Sequence, residues 1–305
     1  MATPTARDSH VDRAMTQISI GYSNGEYIAP QVFPVVSVEK QSDVYFIFDK
    51  GVWFRRRAEP RAPGTRANRG GYTLSTASYL ALPYAFAAVV PDEVRDNADE
   101  PLRPDVEATE FATDALLLDM EIRVADLVST CGNWLNASNP SASWTADNSN
   151  PFADIDNIRD AISKQIGRMP NVAVMSWDIW KALRNHPDFL DRVKYTRAGG
   201  RVETSDIAAW FEVEKVLVGT GIKENALQGA TSNITRIWGN AFWMGYVAQS
   251  PSLRNPSAGY VFEWKTRMVE RFREDQEHQD VFSAEQHCAE KITASDAGGG
   301  YYSVV

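Results

Sequence analysis

The sequence predicts a mixed α+β chain, and three stretches carry that prediction. Residues 105–131 place Phe111, Ala115, Leu118, Ile122, Ala125 and Val128 at three- and four-residue steps, the period of a helix with one buried face. Residues 261–270 set Phe262, Trp264 and Met268 against Glu263, Lys265 and Arg267, the two-residue period of a half-buried strand. Between 150 and 250, short helical and strand-like runs alternate, as in a compact α/β unit. With 305 residues, 44% of them apolar and nine of them tryptophan, the chain can bury a sizeable core.

Taken in order, residues 1–38 read as an extended arm. They are polar, carry the turn Ser23-Asn24-Gly25, are broken by Pro4, Pro30 and Pro34, and show no sustained helical period. Tyr22, Tyr27, Ile28, Val32, Phe33 and Val35 are too apolar for free solvent, so the arm is expected to lie along another surface. Residues 39–80 read as a long hairpin. Val44-Tyr45-Phe46-Ile47-Phe48 is strongly strand-forming, and a return strand runs through Tyr72, Leu74 and Tyr79. Two strands with a polar tip cannot make a core of their own, so this hairpin too needs a surface to rest on, and another copy of the same chain is its expected seat.

The helix of 106–131 is bracketed by Pro104 and Gly132 as start and stop signals, and spans roughly 35–40 Å at 1.5 Å per residue. The polar stretch 136–151 marks a subdomain boundary. An amphipathic helix follows, with Phe152, Ile155, Ile158, Ile162 and Ile166, ending near Gly167 and Pro170. Val172-Ala173-Val174-Met175 reads as a strand and Ser176 as the N-cap of a helix carrying Trp177, Trp180 and Leu183, which stops before Pro187. A further helix at 205–210 and strands at 216–218 and 237–247 complete this part. An acidic turn at 274–280 leads to a last strand over 281–292, and the tail GGGYYSVV is expected to be flexible at its glycines.

The net charge is −9 and the pI about 5.1. A protein that coats nucleic acid by neutralising phosphates is basic, so any relation to DNA is enclosure, not grip. Cys131 and Cys288 have no metal-ligand spacing, and His10, His186, His278 and His287 fall in no metal motif, so neither metal nor cofactor is expected. No apolar h-region opens the chain and no apolar run approaches the ~20 residues of a membrane helix. His287 and Cys288 are adjacent, and on a strand they face opposite sides, which is poor geometry for a catalytic pair. Val216-Leu217-Val218-Gly219-Thr220-Gly221 looks briefly like a dinucleotide loop, but Glu224 stands where the third glycine belongs. Asp154 and Asp156 sit at a helix start, where acids complement the dipole.

The hairpin tip is more informative. Arg55, Arg56, Arg57, Arg61, Arg66 and Arg69 fall within fifteen residues, with Glu59 the only acid among them. Residues 92–121 hold eleven acids, including Asp105, Glu107, Glu110, Asp114 and Glu121 on the long helix. A solvated loop and a nucleic-acid patch are the plain alternatives for such a tip. A basic projection and an acidic helix in one chain also suit head-to-tail association of identical copies, and that pairing is the expectation adopted for both residue sets.

This order of features resembles the tailed-bacteriophage major capsid proteins with the Hong Kong 97-type shell fold. The resemblance implies an N-terminal arm at 1–38, an E-loop at 39–80 and a P-domain at 81–150 containing a spine helix. It further implies an A-domain at 151–253, and P-domain strands with a C-terminal tail at 254–305. The stretch NVAVMSWDIWKALRNHPDF (171–189) is similar to a strand-to-helix segment of such proteins. The family's function is self-assembly of pentamers and hexamers into an icosahedral shell around double-stranded DNA. Its implied partners are portal, scaffolding and possibly decoration proteins, and its implied location is the virion, assembled in the host cytoplasm. No long coiled segment precedes the arm, so a separate or removed scaffold is expected. The arginine-rich tip, with Lys50 the one lysine near it after Lys40, argues against the lysine–asparagine cross-link of some relatives. An encapsulin-like nanocompartment, a tail or baseplate protein and a soluble α/β enzyme are the competing readings.

Overall fold

The long helix is the axis on which the rest is hung. The computed structural model describes residues 10–47, 51, 54–71, 75–194, 202–227, 229–252 and 255–305. Helix formation over Pro104–Ser129 follows from its sequence: proline at the first position and Asp105 and Glu107 in the first turn. Its last carbonyls are taken up by side chains. Asn133 Nδ2 donates to Leu127 O (2.8 Å), and Trp134 Nε1 (3.1 Å) and Tyr302 Oη (3.2 Å) both donate to Val128 O.

Two sheets flank it. The first is built on the antiparallel pair β12 (Gly259–Glu274) and β13 (Gln279–Ile292). Strand β5 (Leu82–Pro91) pairs antiparallel with β13, β1 (His10–Val11) antiparallel with β12, and β2 (Val35–Ser37) parallel with β12. The second sheet runs β6 (Asn136–Ser138), β14 (Gly298–Tyr302), β11 (Ala241–Gly245), β7 (Val172–Ser176), β8 (Lys215–Gly219). Its core face holds Ile155, Ile158, Ile162 and Ile166 of the helix Pro151–Ile166, together with Trp144, Ile179, Leu183, Phe189 and Phe242. Asn150 caps that helix, and Gly167 closes it in the left-handed region at φ 68°. Ser176 caps Trp177–Asn185. Two ribbons stand apart from the sheets: β3 (Ser42–Ile47) with β4 (Ser75–Leu80), and β9 (Ile222–Glu224) with β10 (Ile234–Arg236).

Several expectations are corrected. The arm is not simply extended: Arg13–Gly21 is a helix capped by Asp12, whose carboxylate accepts from Ala14 N and Met15 N. It does lie along the body, with Ile28, Val32 and Phe33 buried beside Val124, Ala125 and Val128. On the long helix the buried stripes run through Ala108, Ala112, Leu116 and Met120, and through Leu117, Glu121, Val124 and Val128. Phe111 is 63% exposed. The helix is wedged between the first sheet and the arm, so two stripes are covered and the single stripe read from the sequence is displaced. Strict alternation fails in β12, where the register shifts twice between Glu263 and Met268 and leaves Trp264 half-buried. The expected strand 237–247 shortens to β11, because Gly239 turns the chain at φ 53°.

The tail is the largest departure. Gly298 to Tyr302 form a fully buried strand of the second sheet. Their glycines serve close packing: a Cβ at Gly298 would lie 2.5 Å from Trp134 and one at Gly300 would lie 2.4 Å from Phe242 O. Phe48, Lys50, Tyr72, Leu74 and Pro4 lie outside the described residues. Among the described residues, no helix is long and apolar enough to cross a membrane.

Candidate assembly interface

Strand alternation decides which face of the hairpin meets the body. Tyr45 and Tyr79 turn inward onto Phe262 of β12, with ring centroids at 5.4 and 4.7 Å. Their hydroxyls donate to Ile292 O (3.4 Å) and Lys40 O (3.1 Å). The root of the hairpin therefore has its seat on its own chain, which corrects the expectation that all of 39–80 needs a foreign surface. Val44, Phe46 and Leu80 point the other way and are exposed.

Beyond the root, residues 54–71 have no regular structure, and all six arginines are exposed. Arg57 donates to Gly71 O (2.7 Å), Arg61 donates to Thr65 O (2.6 Å), and Asn68 Nδ2 donates to Arg57 O (3.2 Å), which closes the loop on itself. Among the described residues, no carboxylate lies within 4.0 Å of Arg55, Arg56, Arg57, Arg61, Arg66 or Arg69.

The five acids of the long helix do not form one free surface. Asp105 pairs with Arg95 at 2.8 Å, within a cluster where Asp280 also meets Arg95 (2.7 Å) and Arg271 (2.6 Å). Burial pulls the Asp280 carboxyl up, but those guanidiniums outweigh it and hold it below the ordinary carboxylate range. Asp114 accepts from Tyr22 Oη (3.3 Å), Asn24 Nδ2 (3.1 Å) and Tyr27 Oη (3.4 Å); burial, then the nearby Asp114 charge, pushes the Tyr27 phenol up to about 12. Glu121 is fully buried and accepts from Ile28 N (3.1 Å), Ala29 N (2.7 Å) and Trp238 Nε1 (2.6 Å). Glu121 is thus removed from the set able to meet a neighbour, and Asp114 is engaged by the arm. A helix acid facing the arm's backbone N–H groups is drawn inward. Glu107 stays exposed and Glu110 half-buried.

The rest of the chain's polar chemistry is structural. Ser149 Oγ lies 3.1 Å from His186 Nε2, and Asp188 is nearby, which looks like a hydrolytic triad. However, the Ser149 hydroxyl donates to Ala146 O (2.8 Å), and the Asp188 carboxylate stays 3.8 Å from His186 Nδ1, which meets the Asp188 backbone N–H (3.3 Å) instead, so the three side chains do not line up as a relay. Burial pushes the Cys288 thiol up to about 12, which keeps it protonated and unreactive. Gly219 of the glycine-rich turn is needed because Trp238 covers it, with Cδ1 2.1 Å from a would-be Cβ. Asp154 accepts from Trp144 Nε1 at 2.9 Å. Among the described residues, no group of three His, Cys, Asp or Glu side chains is placed to hold a metal ion.

Against known proteins, residues 137–220 match the family model described as phage major capsid protein E. The major capsid protein of Burkholderia phage BcepMu is 30% identical over 270 residues, 85% of each chain. A phage-related protein from Bordetella bronchiseptica superposes with a TM-score of 0.78 at 24% identity, covering 97% of this chain and 98% of that one. The capsid of the cyanophage P-SCSP1u gives 0.59 at 11% identity, covering 89% and 86%.

Proposed function

The chain belongs to the phage major capsid proteins, and from that premise we propose that its copies close into the icosahedral shell of a virion around double-stranded DNA. It is a structural protein with a Hong Kong 97-type fold, not an enzyme. In this reading residues 1–38 are the arm, 39–80 the E-loop, 81–150 and most of 254–305 the P-domain, and 151–253 the A-domain. The tail strand joins the A-domain sheet. Pentamers and hexamers form in the host cytoplasm with portal and scaffolding proteins.

The observation that carries the reading is the tip: six exposed arginines with no carboxylate of the described residues within 4.0 Å. Where the body concentrates opposite charges, as at Arg95, Asp105 and Asp280, they pair with each other, and in this reading the tip finds its acid on another copy. Glu107 and Glu110 are the helix acids left to offer it. One exposed pair contributes only ~0–1 kcal/mol, but a shell repeats it at every subunit contact. Weak single contacts also let misplaced subunits leave.

Replacing Arg55, Arg56 and Arg57 together with serine tests this. Shells of the triple variant are expected to dissociate at lower temperature, and at lower denaturant, than wild-type shells. Unchanged heat and salt tolerance, followed by electron microscopy of the particles, removes the tip from the interface.

A further inference from the structure

The first sheet ends in a long open edge. Strand β5 pairs with β13 on one side, and among the described residues no strand takes its other side. Every second N–H and C=O along that edge therefore points outward. Proteins guard such an edge with charges, with an interior proline or with a short strand. This one runs 10 residues, Leu82 to Pro91, without a charged side chain, and its prolines, Pro83 and Pro91, stand at or near its ends. Ala88 and Val90 turn toward the long helix, so Ala85, Ala87 and Val89 lie on the opposite face, where all three are exposed.

The long helix adds an apolar wall beside that edge. Ala108, Ala112 and Leu116 pack with Ala88 and Val90, and the exposed Phe111 ring meets Phe86 edge to face, with centroids at 5.7 Å. Phe111 shares one helix face with Ala115, Leu118 and Ile122, which stay half-buried. This is the periodic stripe of the sequence, and its Phe111 end borders the open edge. A strand laid along β5 gains hydrogen bonds from the edge and apolar contact from Phe86 and Phe111. The edge also selects its strand: uncharged throughout, β5 can face a second β5 with no like charges opposed. Turned antiparallel about a twofold axis, the two edges match each other.

A shell calls for such a contact. Pairing of an arginine tip with a neighbour's helix is head-to-tail, and head-to-tail contacts close rings. Rings joined into a closed shell need a second, different interface, and icosahedral order places twofold axes between them. We propose that the open edge of β5 is that interface: two copies pair β5 to β5, antiparallel across a twofold axis. Their first sheets become one, with Phe86 and Phe111 of both copies on the helix side of the seam. This rests on the shell-forming reading above.

A self-paired strand has a signature that a head-to-tail contact lacks: a residue near the axis meets its own counterpart. Single cysteines are placed in turn at residues 85 to 89 of a Cys131→Ser chain, which removes the exposed native thiol and leaves the buried Cys288. In assembled particles, mild oxidation is expected to give disulfide-linked dimers, with one position strongest and the yield falling on both sides of it. Closed particles that give no dimer at any of the five positions overturn the proposal and leave the shell-forming reading standing. Ala87→Lys tests the same edge without a cross-link. Ala87 is exposed, so the free subunit is expected to keep the wild-type thermal midpoint. Closed particles, counted by electron microscopy, are expected to fall about tenfold, because like charges then oppose each other at every seam. Wild-type yields of closed particles from Ala87→Lys also overturn the proposal. If wild-type chains form no closed particles under any condition, the shell-forming reading fails, and this proposal fails with it.

Discussion

Replacing Glu121 is the sharpest internal test of how the arm is held. Its carboxylate is buried, has no basic partner among the described residues, and takes three hydrogen bonds from two other parts of the chain: Ile28 N and Ala29 N of the arm, and Trp238 Nε1 beside the second sheet. Alanine leaves all three donors buried and unmet. Each such orphan costs about 1–3 kcal/mol, while removal of a buried charge returns part of that, so Glu121→Ala is expected to lose about 3–5 kcal/mol. Glu121→Gln keeps one acceptor oxygen but turns an NH₂ toward a donor, for a loss of about 1–3 kcal/mol. Both are measured by denaturant unfolding of dissociated subunits, followed by tryptophan fluorescence. The pH dependence has a definite sign. Burial raises the Glu121 carboxyl above its ordinary value, against the lowering effect of the three hydrogen bonds. The folded state then binds more protons than the unfolded one between the ordinary and the raised value, so stability from this group falls as pH rises through that window. The deficit of Glu121→Gln relative to wild type should therefore grow as the pH is lowered from 7 toward 4.5. A deficit under about 0.5 kcal/mol at pH 7, or one that shrinks on acidification, refutes the account.

Two further outcomes follow from packing. Gly298→Ala puts a Cβ 2.5 Å from the Trp134 ring in the middle of a buried strand, so a loss of about 1–3 kcal/mol and a lower thermal midpoint are expected. Gly132→Ala has open space around it and serves as the neutral control. For the cysteines, a thiol-alkylating reagent at neutral pH should label exposed Cys131 and leave buried Cys288 untouched until denaturant is added, as read by mass spectrometry. Labelling of native Cys288 contradicts its burial.

The long helix was legible because its signals are local: proline at its start, acids in its first turn, a helical period along its length. The caps Ser176 and Asn150 and the stop at Gly167 belong to the same class. What each helix face meets is a tertiary matter. Phe111 lies on the periodic stripe but outside the wedge between sheet and arm. Glu121 was read with the other acids as surface, although it shares a stripe with Leu117, Val124 and Val128, and an acid set among such residues is the signal that it is buried. The tail's glycines were read as freedom. Their flanking Tyr301, Tyr302, Val304 and Val305 are apolar, and on a strand between Trp134 and Phe242 glycine means close approach. In the candidate interface, the basic tip was legible from composition alone. The set of acids able to meet it was not, because the sequence does not say which of them the chain uses itself.

That distinction bears on how the arginine test is read. Six arginines against Glu59 give residues 54–71 a charge of +5, so the remainder of the chain carries −14. In the proposed reading, copies of such a chain repel over distance, and a tip meeting a neighbour offsets that repulsion locally. The serine triple removes contacts and also moves the net charge from −9 to −12, which strengthens the repulsion. Salt separates these effects: repulsion between bodies acts across more than the ~8–10 Å Debye length and is screened first, whereas pairs in contact are screened less. A triple lysine replacement keeps the charge and loses the planar guanidinium fork. If lysine shells match wild type while serine shells fail, charge balance governs assembly. If both fail, and added salt does not rescue the serine variant, the arginines hold their neighbour through directed hydrogen bonds, and the tip is a recognition element and not merely a counter-charge.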